Sequence, residues 1–513
     1  MARLEPARLA ASSPRTARLE TAPAPPRQPA GAALSRGVWA RAIAVGMLAF
    51  DAVALSWGRS LGPDTYISLT AGRFISAHGL PRTDHLSVAA AGRPWIDQQW
   101  LAHVIFYALW RAGGDAAVAA SSALGVGLAI GLLYALCARR GADMVSTWIG
   151  TGGALMVCVM FAETRAQSFA YPLFVALLWI VLAELDRGRF SRRALLVVPI
   201  IALWANLHGS VLVGAALAAG CFGLRGAGNV VHRRPRAALS DLAVAVLAIA
   251  AVFATPYGTA IFGYYPRVLG DPALNTIAEW QPSSFNVINL PFVAILLGLV
   301  GAGFFARGRR LPVPAWPVGI AAVLGVLATH ALRYQVWFAM AAAPVLALLI
   351  TRIRARTSDN GALPRRLAVA AAVVSAGATA GVCAVLALTS TATYQSFVAR
   401  SAVAAADRYA AAHPGARVLA DDSTGSALLW LHPALAGRIG FDARTEIYPP
   451  SRFLRFDRFL LLSGRSWTAA TRGYQVLAIT CWLHPGLCPA IRRLPGWRVI
   501  SDRSGGLVAV RRT

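Results

Sequence analysis

The chain has 513 residues, 57% of them hydrophobic and only 14% charged, with a formal net charge of +27. Soluble domains carry roughly 25% charged residues and a soluble core stops growing at roughly 250–300 residues, so one large water-soluble globule is excluded. The sequence has no lysine, and many of its arginines sit in short clusters between apolar runs, a pattern that excludes a nucleic-acid-binding face.

Residues 1–36 are rich in Ala, Pro and Arg without an apolar period and read as a disordered cytoplasmic tail. This stretch is too long and Pro-rich for a signal peptide, so the first apolar run, 38–57, is expected to stay as an anchor. A hydrophilic first outer loop, 58–99, follows. Apolar segments then recur at 99–112, 115–137, 144–162, 168–185, 194–207, 209–224, 238–255, 288–306, 315–332, 334–351 and 366–390. The expected fold is mostly α: a polytopic helical membrane protein with about 11–13 transmembrane helices over residues 37–390. Arg187–Arg193, Arg233–Arg236, Arg307–Arg310 and Arg352–Arg366 read as cytoplasmic loops under the positive-inside rule. Segment 99–112 is short for a span. If it crosses the bilayer, Arg139 and Arg140 fall on the outer side, against the rule; the segment is nevertheless expected to span, and the rule to yield at these two residues.

Polar residues return from about Thr391. Strand-like runs lie at 416–420, 427–431, 438–441, 475–479, 497–500 and 507–510, with helix-like stretches at 394–413 and 451–463. They predict a small extracytoplasmic α/β domain over 391–513. Cys481 and Cys488 fall in it, and a disulfide and two free thiols are both open.

The first outer loop concentrates the chemistry. Pro63 and Asp64 suit a helix start, and Tyr66, Leu69, Phe74 and Ile75 make an apolar face suited to a helix on the membrane surface. Asp64, Asp84 and Asp97 are candidate general bases or metal ligands. Helix capping by Asp64 and pairing of the others with loop arginines is the competing explanation. Ionisable or amide groups inside apolar segments usually face a cavity; here they include Glu163 with Arg165, Asn206 with His208, and His330 with Arg333. Arginine matches phosphate in bidentate geometry, but each site also suits a salt bridge or a snorkelling side chain. Glu279, beside Trp280, faces the same space or solvent.

Together these motifs carry a resemblance. Asp64, then Gly72-Arg73-Phe-Ile with Gly79, Pro81, Asp84 and Ser87, then Gly92-x-Pro-Trp95 and Gln99-Trp100-Leu101, resemble a group of bacterial multi-pass membrane proteins near the GT-C superfamily of glycosyltransferases. They are distantly similar to protein O-mannosyltransferases and aminoarabinose transferases. Arg165-Ala-Gln-Ser-Phe, Trp204-Ala-Asn206-Leu-His208-Gly, Thr-Pro256-Tyr-Gly258, Glu279-Trp280, Leu332-Arg333 and the tail residues Asp442, Arg444 and Glu446 extend the match. The resemblance implies transfer of a sugar from a polyprenyl-phosphate donor to an envelope glycan, lipid or protein acceptor, on the outer face of the bacterial inner membrane. It implies that Asp64, at the matching place early in the loop, acts as base or binds the acceptor, and the loop carboxylates Asp84 and Asp97 complete the catalytic candidates. Arg165, His208 and Arg333 would meet the donor phosphate. Arg73, Trp100, His103, Asn206 and Glu279 complete the expected substrate-binding set. No cofactor is called for, with a divalent cation left open. A non-catalytic protein that binds or moves a glycolipid during envelope assembly is the alternative. The tail residues could recognise the acceptor or form a structural ion-pair cluster.

Overall fold

The computed structural model describes residues 61–161, 163–284, 286, 289–357 and 397–512, with six positions between 45 and 53. The expected tail 1–36 and span 366–390 lie outside the described residues, as does most of the expected anchor at 38–57. The described residues from Val45 onward form one compact unit.

The first outer loop opens with α1 (Pro63–His78), where Pro63 takes the first helical turn and Asp64 adds the negative charge that a helix start favours. α1 does not rest on a bilayer. Tyr66, Leu69 and Ala71 are fully buried between α2 (Trp100–Arg139) and the tail domain. Burial of an aromatic or leucine side chain is worth about 1.5–3 kcal/mol, so this face binds protein. Gly72 lets α1 and α2 touch: a Cβ there would lie 2.1 Å from the His103 carbonyl oxygen.

α2 resolves the difficulty over Arg139 and Arg140. It kinks at Gly113–Gly114, and Gly114 has φ +64°, a conformation that favours glycine. The part before the kink is not a short span. Trp110 packs edge-on to Trp430 of the tail domain at 4.8 Å, and Ala102 and Phe106 pack on Ala166, Leu207 and Phe169. This part is therefore a layer between the apolar helices and the tail domain. Only the part after the kink runs among the apolar helices, and it carries Arg139 and Arg140 to the far end.

The helical layer continues with α3 (Met144–Met160), α4 (Ala170–Arg187), α5 (Val197–Leu207), α6 (Val211–Val231), α7 (Pro235–Ala250), α8 (Ala260–Leu269), α9 (Leu290–Gly308), α10 (Ala315–His330) and α11 (Gln335–Thr357). Among the described residues, six helices are long and apolar enough to cross a membrane, and Met144–Met160 and Ala315–His330 are shorter apolar helices. Residues 194–224 form two helices, broken at His208. The arginine clusters meet at one end of this layer. Arg140 pairs with Asp186 at 2.6 Å, Arg354 with Asp143 at 3.2 Å, Arg225 with Asp241 at 2.5 Å, and Arg352 reaches the Pro312 carbonyl.

The tail domain has α12 (Arg400–Ala412), β1 (Val418–Ala420), α13 (Asp422–Leu431), α14 (Pro450–Leu460), β2 (Val476–Thr480), α15 (Leu487–Arg492), β3 (Trp497–Arg503) and β4 (Gly506–Arg511). The sheet order is β1-β2-β4-β3, with β1 parallel to β2 and the other pairs antiparallel. β1, β2 and nearly all of β4 are buried apolar runs, as central strands are. The strand expected at 427–431 is instead the end of α13. Asp421 caps that helix, accepting from the Thr424 amide at 2.8 Å, and every residue from Ser423 to Trp430 is buried, so no polar face marks its helical period. The run at 438–441 forms bridges through Ile439 to Val418 and to Ser87 of the first loop. First loop and tail domain thus share one hydrophobic core. Cys481 and Cys488 are joined in a disulfide.

Candidate active site

At the end of the helical layer away from the arginine clusters, a cavity of about 490 Å³ opens beneath the tail domain. Loops between helices supply most of its polar lining. α1 brings Asp64, the start of α2 brings Asp97 and His103, and the turn before α4 brings Glu163 and Arg165. His208 comes from the α5–α6 break, Glu279 from the loop after α8, and Arg333 from the α10–α11 break. Residues more than two hundred positions apart therefore face one space because helix ends alternate between the two sides of the layer.

Arg165 is the hub. Its guanidinium contacts Glu163 and Glu279 directly, and its Nε lies 3.8 Å from Asp64 Oδ2. The Thr65 hydroxyl donates to the Thr164 carbonyl, which ties α1 to the Arg165 turn. Burial raises the Asp64 pKa to about 6 although Arg165 pulls it down; Glu279, Glu163 and Asp422 add to the rise. The side chain is nevertheless 47% exposed, because it faces the open cavity. Burial also works to raise Glu279, but Arg165 more than offsets it and holds that carboxyl below its usual range. The three carboxylates converge on the guanidinium, which fills the place between them. They do not fit a divalent cation there. Among the described residues, Asp421, Asp422 and His484 are the group with metal-like spacing. Asp421 is already committed to Thr424 and Thr480 and carries no metal assignment.

The other expected residues separate into two sets. Asp97 is buried and bonded to His103 Nδ1 at 2.9 Å, which leaves His103 Nε2 for other partners. His208 Nδ1 accepts from the Ser210 amide at 3.1 Å, so its Nε2 carries the proton and can donate. The Arg333 guanidinium stacks on Trp280 at 4.1 Å. His208 and Arg333 also line a second space of about 200 Å³ that continues from the first and reaches Leu212, Val213, Val268, Leu269 and Trp337. A charged mouth thus leads into a groove of mixed lining, in which Ser210, Tyr264, Tyr265 and Asp271 accompany these apolar residues. Burial pushes Glu446, at the junction of the two spaces, up to about 7.

Asp84, Arg73, Trp100 and Asn206 are outside the cavity lining. Asp84 is fully buried: it accepts from the Ser87 amide and hydroxyl and from the Leu86 amide, and pairs with Arg444 at 2.8 Å. No lone pair remains for a reaction. Arg73 donates to the carbonyls of Leu429 and Trp430 at 2.8 and 2.9 Å, stapling α1 to the end of α13. The Trp100 indole donates to Asn206 at 2.8 Å, and Asn206 donates to the carbonyls of Ala202 and Ala254. These residues position elements. Gln98, Tyr264, Asp422 and Asp457 line the cavity without having been marked by sequence. Glu163 was noticed in the sequence but not assigned, although its place two residues before Arg165 was a usable signal.

No family model and no curated protein matches the chain. Solved structures do. The Archaeoglobus fulgidus oligosaccharyltransferase tethered to an acceptor peptide aligns with 93% of this chain and 74% of its own, at TM-score 0.54 and 14% identity. The Archaeoglobus fulgidus oligosaccharyltransferase AglB in complex with an inhibitory peptide and a dolichol-phosphate aligns with 91% and 74%, at TM-score 0.53 and 14% identity. ArnT from Cupriavidus metallidurans in the apo state aligns with 93% and 98%, at TM-score 0.47 and 17% identity. The likeness to the oligosaccharyltransferase extends over most of the chain and shows that the two share a fold.

Proposed function

We propose that the chain is a membrane glycosyltransferase that moves a sugar from a polyprenyl-phosphate donor to an acceptor hydroxyl. The observation that carries this reading is one continuous space with a carboxylate of raised pKa at one side and Arg333 and His208 at the mouth of a partly apolar groove at the other. A polyprenyl chain fits the groove, and its phosphate would meet Arg333 and the His208 Nε2–H. The likeness to a structure that holds a dolichol-phosphate supports the same arrangement.

In this scheme the Asp64 carboxylate takes the proton of the acceptor hydroxyl. The acceptor oxygen bonds to the anomeric carbon, the bond from that carbon to the phosphate oxygen breaks, and the lipid phosphate leaves with its charge met by fixed donors. Arg165 has a different role from the one its sequence suggested. Three carboxylates already compensate it, so it holds Asp64 in place and leaves the phosphate to Arg333. Asp97 acts through His103, whose Nε2 is positioned to bond the acceptor.

The arginine clusters at the opposite end support a cytoplasmic side there and an extracytoplasmic cavity and tail domain. The Cys481–Cys488 disulfide suits an oxidising compartment.

The test is Asp64→Asn. Transfer in membranes should fall by about 10²–10⁴-fold, the usual contribution of a general base, while insertion is unchanged and the melting temperature does not fall. Full complementation of a deletion strain by this variant would refute the catalytic reading. Severe defects confined to Arg333 substitutions would then favour the glycolipid-binding alternative. Accumulation of a polyprenyl-phosphate sugar in the deletion strain would identify the donor.

A further inference from the structure

A separate cavity of about 320 Å³ opens on the other side of α14, lined by the tail domain and by Val88 and Ala89 of the first loop. It falls within the range of small-ligand pockets, roughly 300–1,000 Å³. α14 turns Phe453, Phe456 and Asp457 toward the Asp64 cavity and Arg452 and Arg455 toward this one. The sheet repeats the division. Arg417, just before β1, lines this cavity, whereas Asp422, just after β1, lines the other. The pocket therefore lies on the side of the tail domain facing away from the Asp64 cavity and the helical layer.

Its polar wall is of one sign. Arg417, Arg452, Arg455 and Arg472 converge on it, and no Asp or Glu is among its lining residues. Two other tail-domain arginines are neutralised: Arg444 by Asp84 and Asp442, and Arg492 by Asp502. Arg452 is fixed at the wall by a bond to the Ala89 carbonyl at 2.8 Å. Four guanidinium groups around one concavity repel one another, and an anion that accepts from several of them relieves the repulsion. Phe441 and Tyr474, both buried in the tail-domain core, close the floor of the pocket.

We propose that this pocket binds an anionic saccharide, a glycan bearing carboxylate or phosphate groups, and that this is the acceptor whose hydroxyl end reaches Asp64 past α14. The second clause rests on the transferase reading; the binding site stands without it. Placement away from the helical layer favours a glycan over anionic lipid headgroups.

The experiment measures binding to the full chain in neutral detergent, without turnover, using oligogalacturonate, poly(glycerol phosphate), a neutral maltooligosaccharide of equal length and phosphatidylglycerol vesicles. At least one anionic polymer should bind tenfold or more tightly than the neutral one, and which one binds names the anionic group. R417Q/R455Q/R472Q should lose that preference, and R455Q alone should weaken it about threefold with an unchanged melting temperature. Asp64→Asn should bind as wild type. Equal binding of charged and neutral glycans, unaltered binding by both arginine variants, or binding to vesicles alone would overturn the proposal. Loss of glycan preference with transfer still dependent on Asp64 leaves the transferase reading standing. Preserved preference with a fully active Asp64→Asn removes that reading and keeps the site.

Discussion

Two arginines of this molecule each hold carboxylates, and they do opposite things. Arg444 grips Asp84 at 2.8 Å and Asp442 at 2.6 Å, and the three side chains are 5%, 0% and 0% exposed. The Asp84 carboxylate there is spent on two amides, a hydroxyl and the guanidinium, and Asp442 on the Arg444 amide and guanidinium. Arg165 holds Asp64, Glu163 and Glu279, whose side chains are 47%, 48% and 31% exposed to the cavity. The same residue types make a sealed strut in one place and an open cluster in the other. Chemistry needs lone pairs that face a space, and only the second cluster keeps them.

The contrast can be broken at either end. The largest expected effect is on Asp64, whose amide variant should lose transfer without losing stability. Arg444→Met should do the reverse. It leaves two buried carboxylates unpaired, at a cost of about 3–5 kcal/mol, and thermal melting in detergent should show a large fall or no folded protein. Equal stability of this variant and the wild type would mean that the sealed cluster is not a strut.

pH separates the two sides of Asp64. Its pKa is raised to about 6, so its neutral form favours the fold. That stability is fully present below the unfolded carboxylate range near pH 4 and is lost as pH rises through about 6. Transfer needs the ionised form and should rise over the same interval. A turnover profile with an acid limb near 6 in the wild type, absent from the residual activity of Asp64→Asn, is the expected result. A limb unchanged by the substitution would assign it to another group, with Glu446 next in line.

Gly72→Ala probes the seam that carries Asp64. A methyl group 2.1 Å from a carbonyl oxygen must push α1 from α2. Overpacking of this kind costs about 1–3 kcal/mol, so melting temperature should drop and turnover should fall with it. The smallest effect is expected from chelation. Arg165 occupies the place between the carboxylates, so removal of divalent cations should leave turnover within about twofold of untreated enzyme, an energy difference below about 0.5 kcal/mol. Loss of activity restored by added metal would contradict that arrangement.

Much of this was legible in the chain. Apolar run lengths located the helical layer, and Pro63-Asp64 marked the start of α1. The polar interruptions at Glu163–Arg165, His208 and Arg333 pointed to one cavity, and all of them line it. That Asp84 and Arg73 lie outside the cavity lining was not legible, because a loop aspartate and a helix arginine look the same in sequence whether a partner about 360 residues away covers them or not. Residues 427–431 read as a strand because a helix buried on all sides lacks the periodicity that identifies one. The short segment before Gly113 looked like a span because an apolar stretch does not say whether lipid or protein will cover it.

The sequence by itself determined what hydrophobic length and local chemistry determine: a helical membrane protein, arginine clusters for one side, and a carboxylate-bearing loop for the other. Tertiary structure decided which charges are spent. The partner of Asp84 is Arg444 and the partner of Arg165 is Glu279. Such pairs form only when helix ends and the tail domain meet, and nothing local to either residue encodes the distance between them. Whether a carboxylate becomes a strut or a base depends on what is left of its hydrogen-bonding capacity after folding, and that is a property of the assembled cavity.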